Sequence, residues 1–443
     1  MRLIALLLYG FVILAMVLSC LLSRKGKVYE FPFWAGTLAL GWFFPQAVGG
    51  YRVSNQFPEG TFSVALLFAA LCMASLWAGF EWAKKREIYQ DCFLMSPFRV
   101  DRLFVAGTLL CICGWYFQWK LHMLPEELTS QGQWSGVSVK YHFLSNIYQI
   151  GLICLWLIYL SRRKWMDIRQ LIFIVPCFTY LLIIALVHGR RSAMMNLFAY
   201  VAMGLWFVRR VVIPRTILIV GVVVGLLVIN AIGVYRGIMK DENVLMGERV
   251  YELLHADYAS VSLDNIREAG DEFKNYIYCI ALYKDQHVPF DYGAFHWNEL
   301  IFNYVPAQIV GRGVKNSLML DVGISAREAN QVLAEKFGFK KSLGTTISGY
   351  ADAYGSFGWL GIFKFLLIGI IMGTLYRYAM AGSFLGQLLY TYVLGTAMHA
   401  ISHGTNRILT SVWVYFFLFG YPVLFWARVK TSKIKGAVGV KIG

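Results

Sequence analysis

Long apolar runs recur along this chain and constrain its fold more than any other feature. There are about eleven of them, each of roughly 17 to 24 residues, which lets a helix cross a hydrocarbon layer about 30 Å thick. The runs lie at 3–22, 31–49, 61–82, 103–119, 142–160, 170–187, 192–208, 215–234, 359–376, 383–400 and 408–426. The pattern predicts an all-α polytopic membrane protein with about eleven transmembrane helices, within a range of about 10 to 14.

Composition agrees with this fold class. The chain is 58% hydrophobic and 15% charged, whereas about 25% of the residues of a soluble domain are charged. The first apolar run ends in Ser23-Arg24-Lys25 and has no small-residue cleavage site. We therefore expect a retained first helix rather than a signal peptide.

The net charge of +16 is concentrated in short clusters between the apolar runs. The clusters are Arg24, Lys25 and Lys27; Lys84, Lys85, Arg86, Arg99 and Arg102; Arg162, Arg163, Lys164 and Arg169; Arg209, Arg210 and Arg215; and Arg428, Lys430, Lys433 and Lys435. By the positive-inside rule these loops are cytoplasmic, which places the N-terminus outside and the C-terminus inside the cytoplasm. We expect membrane lipids, and no nucleic acid, to be the partners of these basic residues.

One connection is far longer than joining two helices requires. Residues 1–234 would hold eight helices, 235–358 would form a large periplasmic loop with short helices, and 359–443 would hold three helices and a basic cytoplasmic tail. Within the loop, a capping box at Ser325 and a C-cap candidate at Gly338 predict one helix. The stretch from Asn298 to Val310 fits either an interfacial helix or buried loop core.

Five arginines lie on the predicted outer side, where the positive-inside rule predicts few basic residues. They are Arg190, Arg191, Arg236, Arg312 and Arg407. The planar guanidinium group suits phosphate oxygens, so arginines beside the outer leaflet indicate a lipid-linked phosphate or pyrophosphate ligand. The alternative is that they reach lipid headgroups or pair with acidic residues of the loop.

Three residues are candidates for a general base that would deprotonate a sugar hydroxyl, namely His403, Asp352 and Glu328. The sequence does not choose among them. It contains no glycine-rich phosphate loop, no Asp-x-Asp pair and no ligand spacing typical of a metal site, so we expect neither a metal nor a cofactor. The eight cysteines form no disulfide framework.

Several segments resemble the bacterial oligosaccharide repeat-unit polymerases, the Wzy-type O-antigen polymerases. They are Gly189-Arg190-Arg191-Ser192, Phe290-Asp291-Tyr292-Gly293, Tyr304-Val305-Pro306 with Gly311-Arg312, Thr345-Thr346-Ile347-Ser348-Gly349-Tyr350 and Gly355-Ser356-Phe357-Gly358. The Arg-x10-Gly spacing of some members is matched by Arg236 with Gly247 and by Arg312 with Gly323.

The resemblance implies a fold of the membrane glycosyltransferase type C and metal-independent transfer at the periplasmic face. The donor would be a glycan on undecaprenyl pyrophosphate and the acceptor a lipid-linked repeat unit, for O-antigen or a related surface polysaccharide. The five arginines would bind the leaving pyrophosphate, and a chain-length regulator would be a possible partner. An O-antigen ligase and a lipid-linked oligosaccharide transporter or flippase are the alternatives.

Overall fold

A computed structural model describes most of the chain in atomic detail. The described residues are 1–23, 25–129, 137–162, 168–186, 190–214, 216–217, 251–252, 255, 269–285, 287–305, 307–322, 326–341 and 345–429. The predicted eighth span, 215–234, falls almost entirely outside these ranges, as do Arg236, Gly247 and Gly323.

The described part of the chain is helical, with no strand and one isolated β-bridge between Phe98 and Arg428. In chain order, the helices are α1 (Arg2–Leu21), α2 (Phe31–Leu38), α3 (Phe44–Arg52), α4 (Thr61–Lys84), α5 (Val100–His122), α6 (Glu126–Thr129), α7 (Val137–Ser145), α8 (Tyr148–Ser161), α9 (Ile168–Leu186), α10 (Arg191–Arg209), α11 (Asp271–Lys284), α12 (Ala294–Tyr304), α13 (Ala307–Val310), α14 (Arg312–Ser317), α15 (Ala326–Phe337), α16 (Gly349–Phe357), α17 (Ile362–Met380), α18 (Phe384–Ser402), α19 (Val412–Tyr415) and α20 (Tyr421–Phe425). Ala39–Phe43, Arg407–Ser411 and Phe416–Gly420 are π-helical.

Seven helical stretches in the described ranges are long and apolar enough to cross a membrane. They are Arg2–Leu21, Thr61–Lys84, Val100–His122, Lys140–Ser161, Ile168–Leu186, Gly349–Met380 and Arg407–Phe425. The prediction of an all-α chain with several membrane-length helices is confirmed. The predicted runs 31–49, 192–208 and 383–400 are also helical, although they are not among the seven, and the total of eleven spans stays a prediction.

The chain divides into two compact units. Unit 1 comprises residues 1–85, 213–374 and 396–411, and unit 2 comprises residues 86–212, 375–395 and 412–443. In unit 2, α5 and α8 pack closely at Gly107 and Gly151. A Cβ atom at Gly151 would lie only 2.6 Å from the carbonyl oxygen of Gly107, so the contact requires glycine there. Small residues at such a contact let two helix backbones approach each other.

Unit 1 contains a second close helix contact, between α4 and α17. Three glycines make it possible: a side chain at Gly79 would collide with the carbonyl of Leu366, and one at Gly369 with that of Leu76. Gly373 faces the carbonyl of Phe80 at 2.5 Å in the same way. These glycines let the two helix backbones come close together, and van der Waals packing then stabilises the contact.

The start of the last long span of unit 1 differs from the sequence prediction. We expected a span beginning near 359, but the membrane-length stretch begins at Gly349 and includes a 3₁₀ turn at Gly358–Gly361. Ser348 starts α16 because its hydroxyl accepts the backbone N–H of Ala351. A side chain at Gly349 would collide with the carbonyl of Ala400, so glycine lets α16 lie against the end of α18.

The predicted loop helix is confirmed as α15. It ends at Phe337, and Gly338 follows with a φ of +63°, the left-handed conformation that favours glycine at a helix C-terminus. Leu333 packs with Leu282 of α11 and with Val288 in a small apolar core. This part of the predicted loop therefore has a folded structure of its own.

Candidate functional site

Asp352 lies in the first turn of α16 and is buried, with a relative exposure of 9%. One carboxylate oxygen, Oδ2, accepts the backbone N–H of Thr405 at 2.7 Å and also the Thr405 hydroxyl. The other, Oδ1, lies 3.5 Å from the Nζ of Lys364. A buried charge is tolerated only when it is paired and hydrogen-bonded, and both oxygens of this carboxylate meet that condition.

Lys364 lies near the start of α17 and is buried as well. Its ammonium group donates to the Ser356 hydroxyl at 2.7 Å and lies 5.6 Å from the centre of the Phe357 ring. Lys364 is the only lysine, arginine or acidic residue of α17 before Arg377. An ionisable residue at such a position in a membrane-length helix is a candidate functional residue.

His296 of α12 completes this group. Its Nε2 lies 3.0 Å from the Thr405 hydroxyl oxygen, 3.4 Å from the Lys364 Nζ and 3.7 Å from Asp352 Oδ2. We refer to the five residues as the Asp352 cluster; its members are Asp352, His296, Lys364, Ser356 and Thr405. All five belong to unit 1.

The hydrogen bonds of the cluster determine which imidazole nitrogen of His296 carries the proton. The Thr405 hydroxyl donates its proton to Asp352, so its oxygen, 3.0 Å from His296 Nε2, is an acceptor for that nitrogen. The Lys364 ammonium could only donate to Nε2 and lies farther away, at 3.4 Å, so we assign the proton to Nε2 on the shorter contact. Nδ1 is then the nitrogen with a free lone pair. It is buried, and no group in the described ranges bonds to it. Burial lowers the pKa of His296 below 6.5, and the nearby Asp352 carboxylate opposes that shift. The imidazole is therefore neutral at pH 7.

Two stretches that carry the family resemblance meet beside the cluster. The backbone N–H groups of Asp291 and Tyr292 donate to the carbonyls of Gly355 and Ser356 at 3.1 and 3.0 Å. Gly293 then adopts a φ of +88° at the start of α12, a conformation that favours glycine. The turn at 291–293 therefore holds His296 next to α16.

A polar segment follows Thr405. The Asn406 side chain donates to the Glu299 carboxylate of α12, and the Thr410 hydroxyl donates to the Asn406 carbonyl at 2.8 Å. Arg407–Ser411 is π-helical, a local widening of the helix that is frequent at functional sites. Arg407 itself is exposed.

The predicted base candidates have different surroundings. Asp352 is in the cluster, whereas His403 is exposed at the end of α18, with its Nδ1 2.8 Å from the Ser402 hydroxyl. Glu328 is exposed on α15. The sequence prediction missed His296, Lys364 and Thr405. A lysine inside the predicted run 359–376 was the signal for Lys364, and nothing in the sequence indicated the other two.

The described residues do not bring the five predicted arginines together in one site. Arg312 and Arg407 are exposed in unit 1, and Arg190 is exposed in unit 2 just before α10. Arg191 is the first residue of α10, but its side chain is outside the described part, as is all of Arg236. A shared pyrophosphate site stays a prediction.

Neither a metal site nor a disulfide is formed by the described residues. They include no group of three or more His, Cys, Asp or Glu side chains that could hold a metal ion. All eight cysteines are free, and Cys279, the one in the predicted loop, has a pKa raised by burial to about 12. The Cys279 thiol is therefore protonated and unreactive at neutral pH.

The chain was compared with protein-family models, with curated proteins and with solved structures, and nothing matched in any of the three. The fold and the site define the broad class of protein to which the chain belongs. The chain is an all-helical protein with several membrane-length helices, and it carries a buried group of ionisable side chains in unit 1.

Proposed function

We propose that the chain is a polysaccharide polymerase of the bacterial inner membrane. It transfers a glycan from undecaprenyl pyrophosphate to a lipid-linked repeat unit, for O-antigen or a related surface polysaccharide. The Asp352 cluster is the observation that carries the proposal. It combines a neutral histidine, a carboxylate and a lysine that lies at the start of α17, inside a membrane-length stretch, beside the two hydrogen-bonded stretches of the family resemblance.

The reaction needs a base for the acceptor hydroxyl. Substrate binding opens the cluster and exposes His296 Nδ1, which is buried in the free protein. Nδ1 then takes the proton of that hydroxyl, the hydroxyl oxygen attacks the anomeric carbon of the donor, and the bond from that carbon to pyrophosphate breaks. Both oxygens of Asp352 are already bonded, so this carboxylate orients Thr405 and His296 rather than accepting the proton itself. The predicted role of His403 or Glu328 as the base stays a prediction.

The leaving pyrophosphate gains negative charge as the glycosidic bond breaks. Arg407 and Arg312, two exposed arginines of unit 1, would neutralise this charge. A contribution from Arg190, Arg191 and Arg236 stays a prediction from the sequence. The distribution of basic residues supports a periplasmic orientation of this site. The mechanism assigns no step to a metal or cofactor.

The proposal is tested with purified protein in nanodiscs. The native undecaprenyl-pyrophosphate repeat unit is supplied without nucleotide sugar or added metal, and the products are separated on a gel. We expect a ladder of lengthened glycans, which the Arg312→Gln and Arg190→Gln variants fail to make at unchanged membrane levels. If both variants polymerise normally, the arginines have no role in transfer.

A null strain separates the polymerase from an O-antigen ligase, which shares the donor. Loss of the polymerase leaves single repeat units on lipopolysaccharide, whereas loss of a ligase leaves none. A transporter is the other candidate, and the buried pair of Asp352 and Lys364 in a membrane-length stretch favours it. Movement of lipid-linked repeats across the bilayer without any ladder would identify the transporter.

A further inference from the structure

Large apolar side chains are exposed between Ala294 and Leu320, outside the membrane-length helices. Phe295 and Phe302 lie two turns apart on one face of α12, and Phe302 is 66% exposed. Exposed apolar surface of this kind marks a site of interaction with a partner or a membrane. We call residues 294–305 and 307–320 the α12–α14 platform.

Hydrogen bonds hold the platform together. Trp297 Nε1 donates to the Leu318 carbonyl at 2.7 Å, and the Asn298 side chain both donates to and accepts from the Leu320 backbone, each at 2.7 Å. Lys315 donates to the Phe302 carbonyl at 2.8 Å. The apolar side chains are thus presented by a fixed framework rather than by a loose loop.

The exposed apolar surface continues onto a membrane-length helix. The turn before α12 is hydrogen-bonded to the end of α16, and the ring of Tyr292, which is 72% exposed, lies 6.4 Å from that of Phe357. Directly after Phe357, the side chains of Trp359 and Leu360 are exposed at the start of the apolar helix. Those side chains face acyl chains if the helix spans the membrane, and the platform adjoins them.

The charges of the platform fit the same environment. Arg312 and Lys315 lie on α14, which has no acidic residue. Aromatic and apolar side chains combined with basic ones are typical of helices that lie in the membrane interface. We propose that the α12–α14 platform lies in the outer surface of the bilayer, with Phe295 and Phe302 among the acyl chains and Arg312 and Lys315 at the phosphates.

This placement has a consequence for the site, which rests on the proposed function. His296 is on a buried face of α12, the helix whose exposed face carries Phe302. A platform resting on the bilayer therefore holds the Asp352 cluster close to the depth at which the pyrophosphate of a lipid-linked substrate lies.

Photo-crosslinking tests the platform independently of any enzymatic activity. The photoreactive residue p-benzoylphenylalanine replaces Phe302 in the full-length protein, reconstituted in nanodiscs of phosphatidylethanolamine and phosphatidylglycerol. Lys336 of α15, also exposed, is the matched control position. After irradiation, intact-mass spectrometry should find phospholipid adducts at position 302 in at least about fivefold excess over position 336.

Three other outcomes would overturn the proposal. Equal lipid adducts at both positions would mean that the platform has no preference for the bilayer. A covalent dimer would identify a second copy of the chain as its partner, and no adduct would place the platform in water. A lipid adduct in a protein that makes no glycan ladder would retain the platform and reject only the polymerase.

Discussion

Two parts of α17 contact their neighbours through different interactions. At its start, Lys364 is buried in a charged and hydrogen-bonded group with Asp352 and Ser356. Further along, Gly369 and Gly373 pack directly on the backbone of α4. Glycine packing alone can hold two helices together, whereas burying an ion pair is often no more stabilising than apolar packing. We therefore expect the charged end of α17 to serve the proposed function and the glycine end to serve structure.

Replacing His296 gives the largest expected effect on the charged side of this comparison. A His296→Gln variant keeps a polar side chain but lacks the base, so the rate of polymerisation should fall about 10²- to 10⁴-fold. The rate is measured as ladder growth in nanodiscs. His287→Gln, at an exposed histidine outside the cluster, is the control and should leave the rate unchanged. Equal rates for both variants would remove His296 from the chemistry.

Breaking the ion pair should destabilise the protein strongly. Lys364→Met leaves the Asp352 carboxylate buried without its cation, which costs about 3–5 kcal/mol of unfolding free energy. The double variant Asp352→Asn with Lys364→Met removes both charges and should recover most of that loss. Thermal unfolding in detergent measures both effects. A single variant as stable as the wild type would mean that the pair is not buried.

Removing the Thr405 hydroxyl should lower the rate about tenfold or more, because His296 then loses the partner that fixes its protonated nitrogen. Thr405→Val keeps the backbone N–H bond to Asp352, and Thr405→Ser keeps the hydroxyl as well. We expect the valine variant to be slow and the serine variant to be near normal, with unchanged apparent affinity for the repeat unit. A serine variant as slow as the valine variant would point to packing instead.

A change at the glycine end should alter stability alone. Gly369→Ala forces a methyl group against the Leu76 carbonyl and should cost about 1–3 kcal/mol. Gly313→Ala is the matched control, since nothing lies within 4 Å of its added carbon. Both variants should retain the pH profile of the wild type, measured on protein that remains folded. A shifted profile in Gly369→Ala would mean that the two ends of α17 are coupled.

The smallest expected effect is a shift in the pH profile. Protonation of His296 removes its lone pair, so the rate should fall as pH drops through its pKa, which burial holds below 6.5. The Asp352, Asp291 and Glu299 carboxylates raise this pKa and Lys364 lowers it. The residual activity of Lys364→Met should therefore have its acid limb at higher pH. A shift towards lower pH would contradict the assignment of this limb to His296.

Local patterns predicted local structure well. The apolar runs predicted the membrane-length helices because length and hydropathy are properties of contiguous sequence. Gly338 was correctly predicted to end α15, since a left-handed residue after a helix favours glycine. Asp352 was predicted as a general-base candidate; it lies in the cluster, and its catalytic role stays a prediction.

The composition of the site could not be predicted in the same way. His296, Asp352 and Thr405 are far apart in the chain, and only the turn at 291–293 and the close approach at Gly349 bring them together. Those contacts depend on tertiary packing, and a single sequence does not show which distant residues will meet. Lys364 was missed as well, although an ionisable residue in an apolar run is visible without any structure.

The central claim is that the Asp352 cluster catalyses glycan transfer, and one measurement tests it most directly. Wild-type protein and the double variant Asp352→Asn with Lys364→Met are reconstituted at equal amounts and given the native lipid-linked repeat unit. We predict a glycan ladder from the wild type and none from the double variant, although both unfold at similar temperatures. A ladder of equal length and rate from the folded double variant would contradict the claim.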